Sequence, residues 1–162
     1  MNKILDRQRL RQVLKELRAQ GKRIAFTNGC FDILHVGHVR YLREAKKTAD
    51  VLVLGLNSDR SVRSIKGERR PIVPEGERAD VMAALEMVDY VTLFDEDTPG
   101  ELIALLEPDV LIKGGDWSAE SVVGRGVVER RGGRVVIVPL TEGSSTTNVI
   151  GKILDVYGSE KK

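Results

Sequence analysis

Apolar residues along this chain alternate between helical and extended spacing. Leu10, Val13, Leu14 and Leu17 recur at helical intervals among Arg, Gln, Lys and Glu, which predicts an amphipathic helix within residues 3–20, stopped by Gly21. Ile24-Ala25-Phe26-Thr27 is a short apolar run opening into Asn28-Gly29, as a buried strand entering a loop would be. A helix over about residues 37–48 follows. Val51-Leu52-Val53-Leu54-Gly55-Leu56 then reads as a central parallel strand, apolar on both faces because helices cover each side. The alternation continues with a helix near Glu75 to Met87, a strand from Tyr90 to Leu93, a helix from Gly100 to Leu106 and a strand from Val110 to Lys113. A helix near Ser121 to Arg131, a strand from Arg134 to Val138 and a C-terminal helix from about Thr147 complete it. The pattern predicts an α/β fold: an open, doubly wound parallel sheet of about five strands with helices on both faces. Ligands of such sheets bind beyond the carboxyl ends of the strands, so the chemistry is expected in the loops that follow strands.

Composition narrows this picture. A chain of 162 residues fits one domain with a full core better than two domains, and no linker, repeat or low-complexity tract divides it, so residues 1–162 are expected to form a single unit. Only the tail Gly158-Ser159-Glu160-Lys161-Lys162 looks dispensable. Twenty-six basic and 24 acidic residues leave a net charge of +2, too balanced to argue for nucleic acid as a partner. Cys30 is the sole cysteine and can form no internal disulfide, and the first residues lack the apolar core of a signal peptide. No apolar run approaches the roughly 20 residues that cross a bilayer. A cytoplasmic location and no membrane partner are the expectation.

The candidate chemistry concentrates after the first strand. The loop Thr27-Asn28-Gly29-Cys30-Phe31-Asp32-Ile33-Leu34-His35-Val36-Gly37-His38 contains both histidines of the chain. A turn entering a helix offers free backbone N–H groups and a positive dipole end to anionic phosphates. Two imidazoles there can donate hydrogen bonds as charge builds on phosphate oxygens, and Gly37 leaves room for a nucleotide close to the backbone. Three further segments lie at strand or helix ends. Lys113-Gly114-Gly115-Asp116-Trp117 reads equally as a ligand loop or as a tight turn with a partly buried tryptophan. Ser144-Ser145-Thr146-Thr147 offers hydroxyls and amides for phosphate, and Ser145 or Thr146 also suits a plain N-cap. Lys66, Arg69 and Arg78 are candidate phosphate cations or ordinary solvated charges. Cys30 has no imidazole partner to activate it, so no nucleophile is assigned. The chain holds no Gly-x-x-x-x-Gly-Lys-Ser/Thr loop, and Gly124-Arg125-Gly126-Val127-Val128-Glu129 lacks the third glycine of a dinucleotide fingerprint.

Gly29-x-Phe31-Asp32-x-x-His35-x-Gly37-His38 resembles the His-x-Gly-His loop of the cytidylyltransferase-like nucleotidyltransferases, and Gly143-x-Ser145-Thr146-Thr147 is similar to their triphosphate-binding Gly-x-Ser-Thr-Thr string. Leu140 stands where some members carry an arginine. The resemblance implies a Rossmann-like sheet, His35, His38 and Lys66 as catalytic residues, and Thr27, Asn28, Gly29, Cys30, Phe31, Asp32, Gly37, Arg78, Lys113, Gly114, Asp116, Ser144, Ser145, Thr146 and Thr147 as nucleotide-binding residues. It places Lys66 and the arginines of 69–70 on a mobile segment where family members carry phosphate-binding cations. It also implies Mg²⁺ carried by the ATP phosphates, with no metal site of the protein's own, and it is compatible with a homodimer. Within the superfamily the chain looks most like the heptose 1-phosphate adenylyltransferases, which transfer AMP from ATP to a sugar 1-phosphate for lipopolysaccharide or other surface glycans. That likeness implies a pathway kinase on a separate chain. A glycerol-3-phosphate cytidylyltransferase-like enzyme and a non-catalytic nucleotide-binding module are the alternatives. An acceptor phosphate monoester is anionic at neutral pH, so attack on the α-phosphorus needs little general-base help, and positioning with charge neutralisation would dominate.

Overall fold

The structure, a computed structural model, describes residues 2–115, 118–141 and 143–158. Five parallel strands form one sheet: β1 (Ile24–Gly29), β2 (Val51–Asn57), β3 (Tyr90–Phe94), β4 (Val110–Gly114) and β5 (Arg134–Val138), in the order β3-β2-β1-β4-β5. The helices are α1 (Arg7–Ala19), α2 (Val36–Lys46), α3 (Asp59–Lys66), α4 (Glu75–Ala84), α5 (Gly100–Leu106), α6 (Arg125–Arg130) and α7 (Thr146–Tyr157). The chain winds outward from β1 through β2 to β3, then returns to the other side of β1 and winds outward through β4 to β5. The order therefore reverses between β1 and β4, which opens a crevice at their carboxyl ends.

Strand periodicity divides the core into two layers. Ala25, Leu52, Leu54, Leu56, Val110 and Ile112 face Leu42 and Ala45 of α2 and Ala79 and Met82 of α4. The intervening Ile24, Phe26, Val51, Val53 and Leu111 face Leu10 and Leu14 of α1, Leu102, Ile103 and Leu106 of α5, and Val128 of α6. Burial on both faces is why the strands are apolar at consecutive positions. The doubly wound, Rossmann-like sheet expected from the sequence is present.

Boundaries shift for local reasons. α1 starts at Arg7, because Asp6 caps it by accepting from the backbone N–H groups of Gln8 and Arg9. The residues before it are extended, and Ile4 bridges Val91 at the outer edge of β3. Ser64, Ile65 and Lys66 of the segment expected to be mobile form the last turn of α3. Ser58 caps it through the Ser61 N–H, and Val62 anchors it in the core. None of α7 is buried, and Ile153, Leu154, Val156 and Tyr157 stand exposed on it.

Candidate active site

A cleft of about 500 Å³ opens at the carboxyl ends of β1 and β4, where the strand order reverses. Asn28 and Gly29 end β1, Lys113 and Gly114 end β4, and the Lys113 ammonium donates to Asn28 Oδ1 across the gap. The N-termini of α2 and α7 meet at the same cleft, so two sets of free N–H groups and two positive dipole ends face one space.

His35 and His38 flank the start of α2, their rings stacked with centroids 3.8 Å apart. The His35 backbone N–H lies 3.4 Å from His38 Nδ1 as a donor, which makes Nδ1 the acceptor and leaves the proton on Nε2. Burial, with a smaller contribution from the neighbouring His35, lowers the pKa of His38 to about 4, and burial also lowers His35. Both imidazoles are therefore neutral at pH 7 and act as hydrogen-bond donors. His35 Nδ1 is buried without a protein partner. Gly37 is required by its surroundings: a Cβ there would sit 2.9 Å from Ser144 Cβ and 3.0 Å from the His35 ring.

Ser144, Ser145, Thr146 and Thr147 line the opposite wall. Ser145 caps α7 by accepting from the Asn148 N–H at 3.0 Å, so capping and a place at the cleft coexist in one hydroxyl. Thr146 Oγ1 donates to the Ile33 carbonyl at 3.4 Å and ties the start of α7 to the loop after β1. Lys66, the last residue of α3, closes a third side with its ammonium exposed. Cys30 and Phe31 also line the cleft; burial raises the Cys30 pKa, keeping the thiol protonated. Phe31 has φ 43°, the left-handed region, and folds its ring under Gly29, where a Cβ would approach it to 2.8 Å.

Three residues expected at the nucleotide do other work. Arg78 is 1% exposed and outside the cleft lining: its guanidinium donates to the carbonyls of Cys30, Asn57 and Val73 and pairs with Asp59 at 2.7 Å. It has become the tie between the ends of β1, β2 and the start of α4. Thr27 is fully buried, with its hydroxyl 2.7 Å from the Tyr41 hydroxyl. Asp32 borders the cleft, but its carboxylate is enclosed and receives the N–H groups of Ile72 and Val73 and the Arg70 guanidinium. Asp116 lies outside the described residues.

Sequence reasoning did not single out Tyr41, Ile65 or Thr141, all of which line the cleft, and it left open which arginine of 69–70 is the phosphate cation; of the two, Arg70 lines the cleft. Tyr41 stands one helical turn after His38 on α2, and that i+3 spacing was the available signal. Leu140 also lines it, at the position where a cation stands in some relatives of the resembled family. Among the described residues no group of three or more His, Cys, Asp or Glu converges as a metal site would. The donors facing the cleft are cations, hydroxyls and amides, a set that fits phosphate oxygens and leaves a divalent ion to arrive on the triphosphate.

The model of the cytidylyltransferase-like family matches residues 26–151. The chain is 58% identical over 158 residues to the bifunctional protein HldE of Geobacter metallireducens, covering 98% of this chain and 32% of that protein. It is 60% identical over 143 residues to the bifunctional protein HldE of Geobacter sulfurreducens, covering 88% and 29%. This chain thus spans about a third of the length of the curated relatives it matches. Among solved structures, a lipopolysaccharide core biosynthesis protein from Thermoplasma volcanium superimposes with a TM-score of 0.62 at 30% identity, covering 76% of this chain and 100% of that one. A pantoate-beta-alanine ligase from Francisella tularensis, complexed with beta-gamma ATP and beta-alanine, gives a TM-score of 0.61 at 14% identity over 97% and 79%, a likeness of fold alone.

Proposed function

The chain belongs to the cytidylyltransferase-like family, and on that footing we propose that it transfers AMP from MgATP to a heptose 1-phosphate, releasing pyrophosphate and forming ADP-heptose for lipopolysaccharide or a related surface glycan. The observation that carries the reading is the convergence of His35, His38, Lys66 and the Ser145–Thr147 hydroxyls on one cleft between two helix N-termini. The extended identity to proteins named HldE, and the likeness to a lipopolysaccharide core biosynthesis protein, support the sugar branch.

In this mechanism the acceptor phosphate supplies its own negative charge and attacks the α-phosphorus, and the pyrophosphate oxygen leaves in line. Neutral His35 and His38 donate to α- and β-phosphate oxygens where charge grows, Lys66 and the helix N-termini balance the departing pyrophosphate, and Ser145, Thr146 and Thr147 hold its outer oxygens. A Mg²⁺ carried by the triphosphate would neutralise part of its charge, with Lys66 and the hydroxyls of Ser145, Thr146 and Thr147 holding the same phosphates. Neither nucleic acid nor membrane enters the proposal: no described helix is long and apolar enough to cross a bilayer. The cytoplasm, where ATP is available, is the proposed site of action.

The test crosses ATP and CTP with heptose 1-phosphate and glycerol 3-phosphate, follows pyrophosphate and identifies the product by mass. ADP-heptose as the dominant product is expected. Preferential CDP-glycerol would remove the heptose assignment and leave nucleotidyl transfer standing.

A further inference from the structure

A second cavity, of about 520 Å³, shares no residue with the cleft. One wall is a face of α1 carrying Gln8, Arg11, Gln12, Lys15 and Arg18 at helical spacing. Glu16, the only acid within α1, does not line the cavity. The far side includes Glu107, the cap at the end of α5, and Arg131, the cap at the end of α6. α1, α5 and α6 each lead into a strand of the parallel sheet, so their ends lie at its amino edge, whereas the cleft opens at its carboxyl edge.

The charges in this cavity are unbalanced. Among the described residues Glu107 is the one carboxylate lining it, and Glu107 already pairs with Arg131 at 3.2 Å. Arg11 and Lys15 are exposed, stand one helical turn apart, and form no ion pair with the described residues. Like charges at that spacing repel and weaken a helix. Arg18 is partly buried; its Nη2 donates to the carbonyls of Leu106 at 2.6 Å and Glu107 at 2.7 Å, covering the negative end of α5, while its Nε is buried with no partner. Burial lowers the Arg18 pKa, with Asp109 and Glu107 opposing and Arg131 adding to the effect, so the surrounding carboxylates do not offset what the guanidinium loses by leaving water. A face serving only solubility has no need of a cavity behind its cations, nor of a buried donor left without an acceptor.

We propose that this cavity is a second anion site, which takes a small phosphorylated ligand between Arg11, Lys15 and Arg18, with Gln8 and Gln12 donating to the uncharged part of the same molecule. Its volume exceeds what one phosphate fills and falls within the range of small-molecule sites, about 300–1,000 Å³. A net charge of only +2 and walls on two sides favour a compact anion over a nucleic acid strand, which needs an extended basic track. The site is independent of nucleotidyl transfer, because its place at the opposite edge of the sheet keeps its ligand out of reach of His35 and His38. A nucleotide and a sugar phosphate are two sources of the same chemistry, and the probes below separate them.

The experiment follows backbone amide NMR signals of the full chain while pyrophosphate, ADP or ribose 5-phosphate is added, each at a constant ionic strength of about 0.15 M so that screening does not change. The parent is compared with the double variants Arg11→Gln/Lys15→Gln and Arg11→Lys/Lys15→Arg. In the parent, amides of residues 8–18 and 105–107 should shift saturably, with a dissociation constant of their own, apart from that of residues 35–38 and 144–147. The glutamine variant should weaken binding at the first set about 10- to 100-fold, the loss expected of charge-assisted contacts, and leave the second set unchanged. The charge-conserving variant should stay within about threefold of the parent. Saturation by ADP alone assigns the site to a nucleotide, and saturation by ribose 5-phosphate assigns it to a sugar phosphate; either upholds it. Shifts at residues 8–18 that never saturate, or that saturate equally in the glutamine variant, would overturn the proposal. So would a single-stranded oligonucleotide that binds this face where none of the three small anions does, since the face would then serve an extended polyanion.

Discussion

At His38 the fold keeps a histidine from acting as one commonly does near neutral pH. Its pKa of about 4, against an ordinary 6.5, means that the imidazole is neutral near pH 7, so in the proposed transfer it would act on phosphate charge by donating a hydrogen bond and not by carrying a positive charge. Removal of one such preorganised donor costs about 10²- to 10³-fold in turnover. His38→Ala should show a loss of that size in kcat with its melting temperature near the parent's, and a folded variant within twofold of parental kcat would take His38 out of catalysis. The same burial couples to stability. Between pH 6.5 and about 4 the unfolded chain binds a proton that the folded His38 declines, so stability is complete above pH 6.5 and falls as the pH drops toward 4. His35, lowered in the same direction, adds to the slope. Urea midpoints measured at pH 7 and pH 5 should therefore drop more steeply for the parent than for His38→Gln; parallel drops would show that His38 does not set this dependence.

Elements whose side chains obey a single period were legible in the order of residues alone: each strand carries apolar residues at successive positions because helices cover both faces, and the helices between them repeat every third or fourth residue. α3 escaped because it offers only two turns, with Val62 as its one buried apolar side chain among charged residues, serines and an exposed Ile65, so that its cap at Ser58 was the main signal. The cleft was legible where function and backbone demand coincide, as at His35, Gly37, His38 and Ser145. It was illegible at Arg78 and Asp32, whose partners are carbonyls and N–H groups of segments that become neighbours only when β1 and β2 lie side by side. A charge in a sequence does not announce whether it faces a phosphate or a ring of carbonyl oxygens. Arg78 faces the latter, and its loss strands three acceptors and Asp59. Unpaired buried polar groups cost about 1–3 kcal/mol each before relaxation and hydration, so Arg78→Met should destabilise the fold by about 3 kcal/mol or more. For a chain of this size that corresponds to a melting temperature lower by roughly 6–12 °C. A variant that melts with the parent but loses only nucleotide affinity would return Arg78 to the binding site.

Over the whole molecule, the reversal of strand order between β1 and β4 gathers a site that no one segment could build. Asn28 and the histidines come from the first winding half, Lys66 and Arg70 from the connection at its outer edge, and Lys113 and the hydroxyls of 144–147 from the second half. Among the described residues, side chains link the halves at this point through Lys113 to Asn28 and Thr146 to the Ile33 carbonyl. Among the described residues the cleft lining carries Lys66, Arg70 and Lys113 against Asp32, so an anionic ligand that binds there bridges the halves, and its binding energy becomes folding energy for the entire sheet. With the triphosphate at about 100 times its dissociation constant the gain is about 2.7 kcal/mol, and in a chain of this length that raises the melting temperature by roughly 5–11 °C. A single cooperative transition moving upward in MgATP is the expected result by calorimetry. EDTA should shrink the rise, because the triphosphate then brings its full negative charge without the ion that holds its oxygens in shape. Inorganic pyrophosphate with Mg²⁺ should reproduce part of it, as the portion of the ligand that Lys66 and α7 hold. A melting temperature indifferent to MgATP at every concentration up to millimolar would mean that the cleft does not bind the triphosphate, and would remove the basis on which nucleotidyl transfer is proposed.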